Sequence, residues 1–221
     1  MCGIFGSLGS IDAPELDRLA EANQARGGRG FGALVSTGET TLVVRSLEPF
    51  AAERLPLTNA RTVLVHLCAP TDGRGDDAAR LHPFETDRVA LAHNGILLNH
   101  RAFPTWRLGP VDSQVILGGI DEHLRAGHAL PHAIGETVRR LDGQQACWAF
   151  DKRDGTAYLW RVMSSLFVET PPAGPRFSSA RAGDDFRLVP EGRVLALRPE
   201  GLDEVARFPF SSPFFLAEER A

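Results

Sequence analysis

"VDSQVILGGIDEHLRAGHALPHAIGETVRRL", residues 111–141, carries two helical patterns back to back with no strand between them. Val115, Ile116, Ile120 and Leu124 mark one apolar face, and Leu130, Ile134, Val138 and Leu141 mark the next, both at helical spacing. In a parallel α/β chain each helix leads into a strand, so two consecutive helices break that alternation. The flanking segments are strand-like on both sides. "RTVLVHLCA" (61–69) and "RVALAHNGILL" (88–98) precede the helices and are rich in β-branched and aliphatic residues. "QQACWAF", "TAYLWRV", "LFVET", "PRFSS", "GRVLALR" and "LDEVARF" follow them, with a tight corner expected at Asp154-Gly155. This order predicts an α+β fold of antiparallel sheets with the helices segregated to outer faces.

The N-terminal part fits the same plan. Gly3–Leu8 reads as a short buried strand. In "SIDAPELDRLAEANQAR" (10–26) Asp12 is placed to cap a helix, Pro14 lies in its first turn, and Glu15 completes a capping-box spacing. Leu16, Leu19, Ala20 and Asn23 mark its inward face, three of them apolar. "RGGRGFG" (26–32) ends the helix. "FGALVST" and "TTLVVRSL" then read as a hairpin through Gly38. "PTDGRGDDAARLHPFETD" (70–87) is a polar loop of a length that usually carries function.

Composition excludes several classes. The 221 residues suit one large domain, and 43% apolar residues supply a sizeable core. The 28 acids and 24 bases leave a net charge of −4, with no basic excess for nucleic acid and no acidic tail. No apolar run reaches membrane-spanning length, and no signal-peptide pattern opens the chain. Cys2, Cys68 and Cys147 are odd in number and widely spaced, which fits a reducing cytoplasm better than a disulfide framework. The seven histidines show no ligand spacing, so neither metal nor cofactor is expected.

Two stretches can carry chemistry. Cys2 follows Met1 directly, so removal of Met1 would give it a free α-amine with a pKa of about 7.7–8. One residue then supplies nucleophile and base together. The bland alternative is a small apolar residue at a strand start. In "LAHNGILLN" (91–99) the Asn94 amide and the Gly95 N–H can converge as an oxyanion hole, or form a simple turn.

"MCGIFG", "RGGRGFG", "HLCAPTDG" (66–73), "HPF" (82–84), "LAHNGILLN" and "VDSQVIL" (111–117) occur in register. Together they resemble the class II, N-terminal-nucleophile glutamine amidotransferase domain, over residues 2–200. "ACWAFDKRDGTAYLWR" and "LVPEGRVLALRPEG" resemble its closing strands, leaving 201–221 as a C-terminal extension of a single 1–221 domain. The resemblance implies a four-layer αββα sandwich of the Ntn-hydrolase type. It implies an amidohydrolase that releases ammonia from the glutamine side chain. It assigns Cys2 as nucleophile, Asn94 and Gly95 as oxyanion hole, and Asp112 as the acid for the substrate α-amine. Asp112 also stands where a helix N-cap would. Arg26 matches an arginine near the nucleophile loop, or simply complements a helix C-terminus. Thr71 matches a residue that helps to hold the substrate carboxylate.

Cys68 departs from the pattern, because it stands where the family has the arginine that forks the substrate α-carboxylate. A thiol cannot replace a planar bidentate cation. Three readings therefore stay open: a glutamine amidotransferase with a rearranged carboxylate site, an amidase for a different amide, or a binding or scaffold module on the same fold. Val162 follows Arg161 where related domains often carry an acid. The expected partners are a small glutamine-like amide and a separate ammonia-accepting synthase or ligase. The Phe-rich "FPFSSPFF" (208–215) is a candidate contact for that protein.

Overall fold

A computed structural model describes residues 2–9, 11–26, 28, 30–69, 78–105, 111–198 and 201–210. One antiparallel sheet has seven strands: β1 (Gly3–Leu8), β2 (Phe31–Ser36), β3 (Thr41–Ser46), β4 (Thr62–Leu67), β9 (Phe167–Glu169), β10 (Arg176–Ser178) and β11 (Arg187–Leu188). They run in the order β11-β9-β10-β1-β4-β2-β3. The other antiparallel sheet has six: β5 (Phe84–Glu85), β6 (Val89–Leu97), β7 (Gly143–Asp151), β8 (Ala157–Val162), β12 (Arg193–Arg198) and β13 (Gly201–Arg207). Their order is β13-β12-β8-β7-β6-β5. The described residues also hold three α-helices, α1 (Ala13–Asn23), α2 (Ser113–Arg125) and α3 (Leu130–Val138), and four single-turn 3-10 helices.

Three cores follow from the alternation of strand side chains between faces. Ile4, Leu8, Leu34 and Leu64 of the first sheet meet Trp148, Phe150 and Leu159 of the second in a central layer. Phe5, Phe31, Val63 and Val65 point the other way, against Leu16 and Leu19 of α1. On the far side, Leu91, Cys147 and Trp160 pack under Val115, Ile116 and Ile120 of α2 and Ile134 and Val138 of α3. Helix, sheet, sheet and helices therefore stack as the expected αββα sandwich. Strands covered on both faces read as continuous apolar runs, and every residue of β1, β2 and β4 is buried.

The hairpin glycine and the Asp154-Gly155 corner are where the sequence puts them, with Gly38 at φ 94° and Gly155 at φ 74°. The capping box of α1 does not form. Asp12 holds the N-cap position without a side-chain cap bond, and Glu15 instead forms ion pairs with Arg18 at 2.6 Å and Arg176 at 3.2 Å. Two arginine cations on one carboxylate outweigh a reach back to a single backbone N–H. β5 and β11, two residues each, are too short to leave a periodic trace in the sequence. Arg161 finds its acid not at the next position but in Glu191, 3.0 Å away on the approach to β12. No helix of the described residues is long and apolar enough to cross a membrane.

The two sheets are tied by the indole N–H of Trp148, which donates to the Val65 carbonyl at 3.3 Å across the central layer. Replacing Trp148 by Ala removes this bond and a large fully buried side chain. The expected cost is about 3–5 kcal/mol, read as a lowered denaturant midpoint at unchanged m-value.

Candidate active site

Cys2 is placed by β1, and β1 is held on both edges. β4 pairs along its whole length and β10 pairs with Phe5–Ser7. At its N-terminal end the pairing is completed by a polar cluster. The Ile4 N–H donates to Ser179 Oγ at 3.0 Å and the Ser179 N–H donates to the Ile4 carbonyl at 2.8 Å. Ser179 Oγ in turn donates to Asn23 Oδ1 at 2.7 Å, and Asn23 Nδ2 donates to Ser178 Oγ and the Leu19 carbonyl, each at 2.8 Å. A Cβ on Gly3 would lie 2.9 Å from Asn23 Cβ, so helix and strand touch here. Arg26 donates to Ser165 Oγ at 2.7 Å, and Ser165 Oγ donates to the Ser179 carbonyl at 2.7 Å. The described contact of Arg26 is thus with the loop that braces β1. None of Asn23, Ser165, Ser178 or Ser179 stood out in the sequence as part of a site. The available signal was an amide at an inward position of an amphipathic helix.

The Cys2 thiol is half-buried between backbone and two side chains. The Ala69 N–H donates to Sγ at 3.4 Å. The Cys68 thiol hydrogen-bonds it, and His66 lies beside it. The Cys68 hydrogen bond is the largest cause that holds the Cys2 thiol well below the usual thiol range, and it prevails over desolvation with help from His66 and Ala69. The imidazoles of His66 and His82 stack at 4.1 Å between centroids, and His82 lies 4.6 Å from the Phe84 ring. Burial pushes His82 and His93 below the ordinary histidine range. His93 makes a ring-to-backbone bond, to the Gln144 carbonyl, whereas His66 and His82 pack on each other.

The second sheet supplies the facing groups. Asn94 is buried on β6, one residue beyond His93, which lies close enough to Cys2 to feel its charge. Ala90 and Ala92 contribute to the central layer, and the period of two puts Asn94 on that same face. Gly95 admits no side chain, because a Cβ there would lie 1.8 Å from the Gln144 carbonyl oxygen. The stretch is therefore continuous strand rather than a turn.

Asp112 stands at the N-cap position of α2 but makes no side-chain cap bond. Its Oδ2 instead accepts the Leu97 N–H at 2.9 Å, from β6. His93 Nε2 lies 3.0 Å from the Gln144 carbonyl, which only accepts, so Nε2 carries the proton. The neutral ring then accepts at Nδ1 from the Ser113 hydroxyl at 2.9 Å. That hydroxyl has one proton, so its 3.4 Å approach to Asp112 Oδ1 is the weaker claim. Oδ1 keeps its capacity for another donor.

Thr71 lies outside the described residues, as do Arg74, the loop acids Asp72, Asp76 and Asp77, and Phe214 and Phe215. Among the described residues, no group of three or more His, Cys, Asp or Glu side chains is arranged to hold a metal ion.

No family model matches the chain. It is 29% identical over 224 aligned residues to glutamine–fructose-6-phosphate aminotransferase (isomerizing) of Shewanella oneidensis, covering 94% of this chain and 36% of that protein. The chain thus spans about a third of the length of that relative. Among solved structures, the glutamine phosphoribosylpyrophosphate amidotransferase of B. subtilis superposes with TM-score 0.74 at 21% identity, over 95% of this chain and 50% of that one. A glutamine aminotransferase class-II domain protein of Silicibacter pomeroyi gives TM-score 0.58 at 19% identity, over 94% of this chain and all of that one. The resemblance carried by the sequence motifs is borne out, and so is the sandwich fold.

The thiol environment has a measurable consequence. A group with a depressed pKa keeps its reactive thiolate to lower pH than the ~8.5 of an unperturbed cysteine. Alkylation of Cys2 by iodoacetamide, followed residue by residue by mass spectrometry, should therefore reach half its maximal rate well below pH 8.5. Cys68→Ala removes the largest cause and should move that midpoint upward.

Proposed function

We propose that this chain is a class II glutamine amidotransferase domain in which Cys2, freed of Met1, hydrolyses a side-chain amide, with glutamine as the default substrate. The Cys2 thiolate, whose proton rests on the α-amine, adds to the amide carbonyl, and the α-ammonium passes that proton to the departing ammonia. Asn94 and the Gly95 N–H receive the oxyanion of the tetrahedral intermediate. Water then hydrolyses the thioester to glutamate and free Cys2. Asp112 holds the substrate α-ammonium, Thr71 assists at its carboxylate, and Arg26 steadies the loop behind the nucleophile. The ammonia passes to an acceptor site outside this domain, in the cytoplasm.

The observation that carries this reading is the carboxylate of Asp112. It is turned off its own helix onto the Leu97 N–H, three residues beyond Asn94, with Oδ1 left for an ammonium. Intact mass should show loss of Met1. Cys2→Ala should abolish glutamate release, and Asn94→Ala should lower kcat by about 10²–10³-fold. A retained methionine together with full activity would overturn the role of Cys2.

One observation favours a second substrate class. The Cys68 thiol is engaged with Cys2 at the position where an arginine would fork a carboxylate. An amide without a free α-carboxylate would not need that fork. A hydrogen bond to a charged group is worth about 1.5–3 kcal/mol, so Cys68→Arg should lower the KM for glutamine about ten- to a hundred-fold. The same change should leave an amide lacking the carboxylate without that gain. Steady-state kinetics on both substrates separate the two classes.

A further inference from the structure

The register of β1 on β4 pairs Gly3 with Leu67, so one residue further out Cys2 faces Cys68. The hydrogen-bonding pattern fixes what kind of pair this is. The Cys68 N–H donates to the Gly30 carbonyl at 2.9 Å, on the β2 side of β4. The Ile4 N–H and carbonyl both turn to Ser179, on the β10 side of β1, and Cys2, two residues away, shares that orientation. Neither cysteine directs its backbone at the other, which defines the non-hydrogen-bonded kind of antiparallel pair. Cα atoms in such a pair are about 4.5 Å apart, with side chains on one face and closest together. Disulfides span Cα separations of about 4.4–6.8 Å. The two thiols are already in hydrogen-bonding contact, and both residues are only half-buried.

We propose that Cys2 and Cys68 form a peroxide-responsive oxidation site, in which a reversible disulfide joins the two strands. The Cys2 thiolate attacks hydrogen peroxide; the S–O bond forms, the O–O bond breaks, and hydroxide leaves. The Cys68 sulfur then attacks the Cys2 sulfenic acid; the S–S bond forms, the S–O bond breaks, and the Cys68 proton leaves with the oxygen as water. The two cysteines lose two electrons, and peroxide is reduced to one water and one hydroxide, the hydroxide becoming a second water with the proton that the Cys2 thiol had released. A dithiol reverses the change. Cys68 thereby shields Cys2 from further oxidation to sulfinic acid, which thiols do not repair. Cys147 takes no part, because it is fully buried on the helix side of β7 and burial pushes its thiol up.

The consequence for catalysis rests on the reading of Cys2 as nucleophile: the disulfide switches activity off, and reduction restores it. The linkage itself does not rest on that reading. Purified full-length protein is treated with a small excess of hydrogen peroxide, alkylated and digested without reductant. The expected product is a cross-linked peptide pair containing Cys2 and Cys68, two hydrogens lighter than its parts and released by dithiothreitol. In Cys68→Ser, Cys2 should instead accumulate sulfinic acid that dithiothreitol does not reverse. Sulfinic acid on Cys2 of the unaltered protein, with Cys68 still open to alkylation, overturns the proposal, as does a link to Cys147. A protein that forms the disulfide but never hydrolyses an amide would refute the function and leave the oxidation site standing.

Discussion

A reactive group at a chain end is useful only where the end is held, and here everything around the site follows from how β1 is held. Its outer neighbours pair with it, its apolar side chains fill two cores at once, and its first residues are closed off by the Asn23, Ser178 and Ser179 cluster. Ordering a terminal residue costs about 1–2 kcal/mol in backbone entropy. The two bonds exchanged between Ile4 and Ser179 are each worth about that much when buried, and they act one turn of pleat away from Cys2. The cluster is therefore of the right size to convert a fraying end into a fixed one.

The same constraint explains why the site spans two sheets. β1 can carry no large side chain at Gly3, where helix α1 closes in, and none at Gly6, where a Cβ would lie 2.5 Å from the Phe177 ring. The other groups of the proposed site therefore come from across the central layer or from the loop after β4. Asn94 and Asp112 arrive from β6 and the start of α2, and the Trp148–Val65 bond sets the sheets against each other at that level. The central layer is lined by buried apolar side chains, so polar groups at its end act in a low dielectric where their effect is large.

The strands and helices were legible because each has a clear period: two for the half-covered strands, about 3.6 for α1, α2 and α3, and a continuous apolar run where both faces are buried. Motif alone singled out Cys2, Asn94, Gly95 and Asp112, and the structure places Cys2 just before β1, Asn94 and Gly95 on β6 and Asp112 at the start of α2. What escaped was what has no period. Asn23 acts through partners more than a hundred and fifty residues away, and nothing in a linear chain marks Ser178 and Ser179 as its complement. The capping box was misread for the opposite reason. Its local spacing is correct, but Arg176 arrives from a distant strand and takes Glu15 away.

Cys68 shows how one position can answer to two demands. An arginine there would serve the substrate carboxylate and leave the Cys2 thiol with His66 and one backbone N–H. A cysteine gives up the fork, yet donates to the Cys2 sulfur, stabilises its thiolate, and stands where it can close a disulfide. In the proposed function the first exchange would weaken recognition of a free amino acid, and the second would sharpen and protect the proposed nucleophile. Both effects act through a single side chain set opposite Cys2 by strand register. Any restoration of an arginine therefore trades thiol chemistry for carboxylate binding at the same point in space. The proposed substrate choice and the proposed redox behaviour would thus be coupled through that one side chain rather than separately adjustable.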